Sequence, residues 1–152
     1  MTNLWLVLER LLLATWVGGM VAVGFVVTPV LFRMLDDRML AGNIAGELFG
    51  ILSKFGLLCG AILLALAITR SHGDWFRAWR VWVLTAMLLI VLVAEYGLLP
   101  AMKEIKQSVG TALIQGTEAY RQFSRLHRVS SILFLLNTSL GLVLVSVGVT
   151  SR

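Results

Sequence analysis

Charge is what this chain has least of. Only 14% of its 152 residues are Asp, Glu, Lys or Arg, while 59% are hydrophobic. A soluble domain averages about 25% charged and about 45–50% apolar. A chain of this length forms one domain, and one small domain cannot hide so much apolar surface from water. Cysteine is nearly missing as well. Cys59 stands alone inside an apolar run, which excludes an internal disulfide framework and any paired-cysteine metal motif and leaves a small core hydrophobe. The chain holds two histidines, His72 and His127, and two prolines, Pro29 and Pro100. It has no Gly-rich phosphate loop, no His-Glu-x-x-His pattern and no Ser-His-Asp arrangement, so no catalytic residue is assigned.

What remains is apolar and long. A spanning helix needs about 20 mainly apolar residues, and four segments qualify: Leu11–Phe32 (extendable back towards Leu4), Ala45–Thr69, Val81–Leu99 and Val129–Thr150. The runs are too long for strands and do not alternate, and four strands are too few for a membrane barrel. The sequence therefore predicts an all-α integral membrane four-helix bundle, one transmembrane domain over residues 1–152, with the lipid bilayer as its first partner. Glu9-Arg10 precedes an apolar run longer than the stretch of about 7–15 residues in a cleaved signal, so the first helix is expected to persist. A bacterial inner membrane is the expected location. The net charge of +5 does not argue for nucleic acid, because bases beside apolar segments fix topology and meet anionic headgroups.

The links differ. Arg33–Ile44 is short. Arg70–Arg80 is tight, with Ser71, Gly73 and Asp74 as turn formers. Ala101–Arg128 is long and polar, and reads as helix lying along the membrane surface, interrupted at Gly110 and Gly116. Neither a repeat nor a low-complexity stretch is found. Trp75, Trp79 and Trp82 cluster at the start of the third helix and read as part of an interfacial belt, while Trp5 and Trp16 flank or enter the first helix. Gly56 and Gly60, and Ala14, Gly18 and Ala22, recur at spacings of four. Such small residues let backbones approach, within the bundle or, as the lesser alternative, in a homo-oligomer.

Both termini and the 70–80 link share one face of the membrane, side A, with Arg10, Arg70, Arg77, Arg80 and Arg152. Side B carries Arg33, Arg38, Lys103, Lys106, Arg121, Arg125 and Arg128, with Lys54 nearby. The count of bases leans towards a cytoplasmic side B by a thin margin, and the orientation stays open. Charge inside a spanning helix costs about 2.5–3.5 kcal/mol, which singles out Glu95, one turn before Pro100. Side B gathers its polar company: Arg33 at the end of the first helix, Glu47 near the start of the second, and Arg125, His127, Arg128, Ser130 and Ser131 entering the fourth, with Asn137 further on. Side A offers only Glu9 and His72, so a site is expected at side B. Glu95 and His127 are the candidates to hold a metal ion or relay a proton; the alternative pairs Glu95 with Arg33, Arg125 or Arg128 and leaves His127 at the headgroups. No paired Met or Cys motif supports a soft metal, and only His127 is placed to ligate haem.

Four strings carry a resemblance: Trp16-Val17-Gly18-Gly19, Pro29-Val30-Leu31-Phe32, Glu95-Tyr96-Gly97-Leu98-Leu99-Pro100, and Phe123-Ser124-Arg125-Leu126-His127-Arg128-Val129-Ser130-Ser131. Together they resemble the transmembrane protein 205-like domain family, a four-helix membrane domain of unknown function, over nearly the whole chain. That family usually has Asn four residues after the first Ser of the last string; here Phe134 stands there and Asn137 follows one turn later. More distantly the first helix is similar to the membrane domain of copper-resistance D proteins and to small haem-binding membrane proteins, where His precedes the Trp; here Glu9 takes that place. The readings carried forward are a binding or transport module with a side-B pocket of Glu95, His127, Glu47, Arg33 and Asn137, a non-catalytic membrane scaffold or assembly factor, and a haem redox protein. The cofactor is left unassigned.

Overall fold

The computed structural model describes residues 2–70, 78–109 and 117–148. All regular structure within them is helical. The first long helix comprises α1 (Thr2–Val21), a π-helical segment (Ala22–Val27) and α2 (Thr28–Met34). The second is α3 (Arg38–Arg70). The third comprises α4 (Trp79–Leu92), a second π-helical segment (Val93–Leu98) and α5 (Leu99–Val109). The fourth is α6 (Glu118–Gly148). Each contains a stretch long and apolar enough to cross a membrane: Leu4–Met34, Arg38–Arg70, Trp79–Ser108 and Glu118–Val147. The fold is an all-α four-helix bundle of membrane type.

The helices outrun the apolar stretches that announced them. The 33 residues of α3 span about 50 Å at 1.5 Å per residue, against a hydrocarbon core of about 30 Å. Local chemistry starts them early. The Asp37 carboxylate accepts from the N–H groups of Met39 and Leu40 at 2.8 and 3.1 Å, capping α3 eight residues before Ala45. Thr117 Oγ1 accepts from the Tyr120 N–H at 3.2 Å and so caps α6, while Glu118 favours its positive end. The polar stretch expected to lie along the membrane surface is instead shared between two spans: α5 continues the third helix, the start of α6 leads into the fourth, and the two pack on each other. Gly110 and Gly116 lie outside the described residues.

The core sits towards side A. Trp16, Met20, Met87, Cys59 and Leu144 are fully buried there, with Val17, Leu63 and Leu84 around them. Trp16 is thus a core residue of the first helix. Its indole lies where a Cβ on Gly56 would be 2.4 Å from Nε1 and one on Gly60 3.0 Å from the ring, so both glycines make room for it. The spacing in the second helix thus serves packing within the bundle. The stripe on the first helix does not: Ala14, Gly18 and Ala22 are exposed, and a Cβ on Gly18 would meet nothing. Trp79 and Trp82 face outward, whereas Trp75 lies outside the described residues. Leu58, Ile51, Phe25 and Tyr96 are all more than half exposed; such an apolar jacket suits lipid and would aggregate in water.

Side A is closed by ions. Glu9, only 8% exposed, receives Arg70 on one carboxylate oxygen and Arg80 on the other, each at 2.5 Å. One acid thus ties α1 to the end of α3 and the start of α4. Of the two polar residues expected at side A, Glu9 is thus engaged by two arginines, and His72 lies outside the described residues.

Candidate functional site

The two prolines set up the opposite end. Proline lacks an N–H and breaks the i→i−4 ladder. Each is preceded by a π-helical segment in the same register: Ala22–Val27 begins seven residues before Pro29, and Val93–Leu98 begins seven before Pro100. Each segment widens its helix by one residue. Thr28 N–H bonds to Val23 O, and Leu99 N–H to Ala94 O, both five residues back. The Thr28 hydroxyl also donates to Val23 O at 2.8 Å. π-helical turns of this kind are frequent at functional sites.

Beside these segments a cavity of about 490 Å³ opens at side B, within the range of about 300–1,000 Å³ usual for ligand pockets. All four helices line it. Its walls are largely apolar, with Phe25, Phe49, Phe134 and Leu52 among them; Lys103, Lys106 and Glu47 line it near the ends of the helices, and Trp16, Met20 and Asn137 lie at its inner end. Phe49 and Phe134 meet edge to face at 5.0 Å. Gly24 allows this, since a Cβ there would come 2.5 Å from the Phe134 ring. The residue standing where the resembled family has Asn is thus an apolar wall.

Of the five residues singled out from sequence, Glu95, His127, Glu47 and Asn137 line the cavity. Arg33 does not: it is exposed near the end of α2. Glu95 is half-buried, and among the described residues it forms no ion pair, so the expected pairing with Arg33, Arg125 or Arg128 is not made. His127 is exposed and stacks on Phe123, ring centroids 6.1 Å apart and nearly parallel. Glu47 pairs with Lys103 at 3.6 Å. Asn137 is 3% exposed; its Nδ2 donates to Met20 Sδ at 3.5 Å, while Oδ1 is buried with no donor among the described residues. Among the described residues no three of His, Cys, Asp and Glu come together as a metal-ligand group.

Sequence reasoning missed Lys106, whose Nζ donates to Asn43 Oδ1 at 3.0 Å and lies 5.4 Å from the Phe123 ring centroid. It also missed Met20 and Gly24. The signal available for Gly24 was its place five residues before Pro29, the place Glu95 holds before Pro100.

Fold and site together define a helical membrane bundle with a cavity open at one end. The chain belongs to the family described as a domain of unknown function, DUF4149, whose model matches residues 11–111. The match takes in Arg33, Glu47 and Glu95 and stops short of His127 and Asn137. Comparison with curated proteins gave no match, and neither did comparison with solved structures.

Proposed function

We propose that this chain is a membrane-embedded binding module that takes a small, largely apolar molecule into its side-B cavity. The supporting observation is the cavity itself, about 490 Å³ walled largely by apolar side chains from all four helices, with the Glu95 residue on its lining and no ion pair to Glu95 among the described residues. The same fact weighs against the scaffold reading, in which polar residues serve only to stabilise the bundle. Among the described residues Glu95 has no ion pair and Asn137 Oδ1 no donor, the partners that reading requires.

Binding is favoured over transport because the cavity is blind. No lining residue lies nearer side A than Trp16, Ser53, Ile90 or Asn137, and the packed core and the Glu9 clamp lie beyond. The resemblance to copper-resistance D proteins would suggest a metal on Glu95 and His127. A third donor of the His, Cys, Asp or Glu type is missing beside them among the described residues, so an organic ligand fits better. Haem fits poorly for a similar reason: His127, its only candidate axial ligand, is exposed and stacked on Phe123.

Gly46 and Gly50 provide the test. Both line the cavity, and a Cβ on either meets nothing within 4 Å. The protein is purified in mild detergent beside Gly50→Phe, and both are extracted and analysed by mass spectrometry for co-purifying small molecules. A molecule held by the wild type and lost from a normally folded Gly50→Phe is the expected result. Identical extracts from the two proteins would sink the reading.

A further inference from the structure

The four helices form a ring: the first packs on the second, the second on the third, the third on the fourth and the fourth on the first. Towards side B the ring divides into two pairs. α2 stays on α3, and the second π segment and α5 stay on α6. Among the described residues no comparable packing joins α3 to α5, or the first π segment and α2 to α6. All four helices line the cavity, so two seams flank it, one between the second and third helices and one between the first and fourth.

The seams are not alike. Polar side chains latch α3 to α5: Glu47 meets Lys103 at 3.6 Å, and Lys106 donates to Asn43 at 3.0 Å. The other seam closes at its inner end, where the Phe134 ring lies against Gly24. Nearer side B its two hydroxyl side chains, Thr28 and Ser131, turn back on their own helices. Thr28 donates to Val23 O at 2.8 Å and Ser131 to His127 O at 2.9 Å. Phe25, Phe32 and Leu135 both line the cavity and are 54%, 43% and 48% exposed, so they carry its wall out onto the apolar jacket. Phe25 lies seven residues inside Phe32, and Leu135 six inside Val129. At 1.5 Å per residue the seam thus reaches about 10 Å into the apolar zone, where the surrounding solvent is hydrocarbon. Glu95, on the third helix, belongs to neither rim of this seam.

We propose that the seam between the first and fourth helices opens the cavity sideways to the bilayer, and that the occupant is one acyl chain of a membrane lipid threaded through it. The lipid's headgroup stays outside, at side B. The proposal rests on the binding-module reading and narrows it to a ligand that arrives from the membrane and not from water. A chain in that place restores the dispersion contacts that an unfilled space denies its walls, and the hydroxyls on the rims, already bonded to their own helices, ask nothing of it.

The test uses the whole chain in phosphatidylcholine nanodiscs in which some of the lipid carries a photoreactive diazirine near the end of one acyl chain. After irradiation, adducts are mapped by peptide mass spectrometry in the wild type, in Gly50→Phe, which fills the cavity, and in Thr28→Phe/Ser131→Phe, which fills the seam. Ile51 and Leu58, on the outer face of α3, report ordinary lipid contact and should be labelled alike in all three proteins, which also shows that the variants are folded. Met20 and Phe49 line the cavity, and Met20 is buried. The expected result is adducts on these two in the wild type and their loss in both variants. Adducts confined to the outer face in the wild type would overturn the lipid assignment. The binding module itself is then judged by the co-purified extract: a molecule other than a lipid, lost from Gly50→Phe, keeps it, and identical extracts remove it as well. Cavity adducts that vanish in Gly50→Phe but persist in Thr28→Phe/Ser131→Phe would overturn the seam as the chain's way in.

Discussion

At side A one buried carboxylate, Glu9, meets two guanidinium groups, and α1, α3 and α4 are drawn together there. At side B another carboxylate, Glu95, sits on a cavity wall without an ion pair among the described residues, and the helices stand apart around about 490 Å³ of space. Both ends use acids and bases near the limits of apolar helices. The difference lies in the backbone. α3 and α4 run as regular helices into the closed end, so Arg70 and Arg80 can both be aimed at Glu9. At the open end two prolines, each behind a π segment, remove donors from the first and third helices together. Pairing closes one end, and at the other the helices stand apart around the cavity.

That contrast can be broken at several strengths. The largest effect is expected from Glu9→Leu, which strands two arginines at the packed end. Removing one partner of a buried ion pair costs about 3–5 kcal/mol; with Arg70 and Arg80 36% and 28% exposed, the lower end of that range is expected. Unfolding of the detergent-solubilised protein measures it, and an unchanged midpoint would mean that the clamp holds nothing. Next come Gly56→Leu and Gly60→Leu, which push side chains into the Trp16 indole and Leu88. Overpacking of this kind costs about 1–3 kcal/mol, and the double variant should melt early; a wild-type melting profile and oligomer size would refute the packing role.

The open end should answer with the opposite sign. Asn137→Leu is expected to stabilise the empty protein by about 1 kcal/mol, because it deletes an unpaired buried acceptor. A loss of stability would show that Asn137 is a structural residue after all. The smallest effect belongs to Lys103→Ala. Its ion pair with Glu47 is long at 3.6 Å and exposed, and such pairs contribute about 0.2–1 kcal/mol. A larger change would place Lys103 in the working part of the cavity.

The four helices were legible because each apolar run exceeds what any other element needs. Their true ends were not, since Asp37 and Thr117 extend helix into polar sequence. Glu95 and Asn137 stood out as polar residues in apolar company, and both line the cavity. The pairing of Glu9 was not legible because its partners lie 61 and 71 positions away in the chain, and pairing at that distance is a property of the assembled bundle. The stripe Ala14, Gly18 and Ala22 looked like Gly56 and Gly60, yet only the latter pair faces an indole. Spacing marks a face of a helix without saying which way the face turns. Arg33 was grouped with the site on membrane depth alone, which likewise says nothing of azimuth.

Trp16 belongs to both regions. It is 1% exposed, seated on Gly56 and Gly60, and also lines the inner end of the cavity. Trp5, Trp79 and Trp82 are turned outward, so this indole is set apart from them in polarity and accessibility. Its near-ultraviolet emission is a built-in optical gauge, read at the blue edge where a dry indole emits, of what occupies the chamber beside it. The same seat sets a limit on diversification. Enlarging the chamber towards the indole means shifting it, and shifting it disturbs the packing of the other half of the molecule.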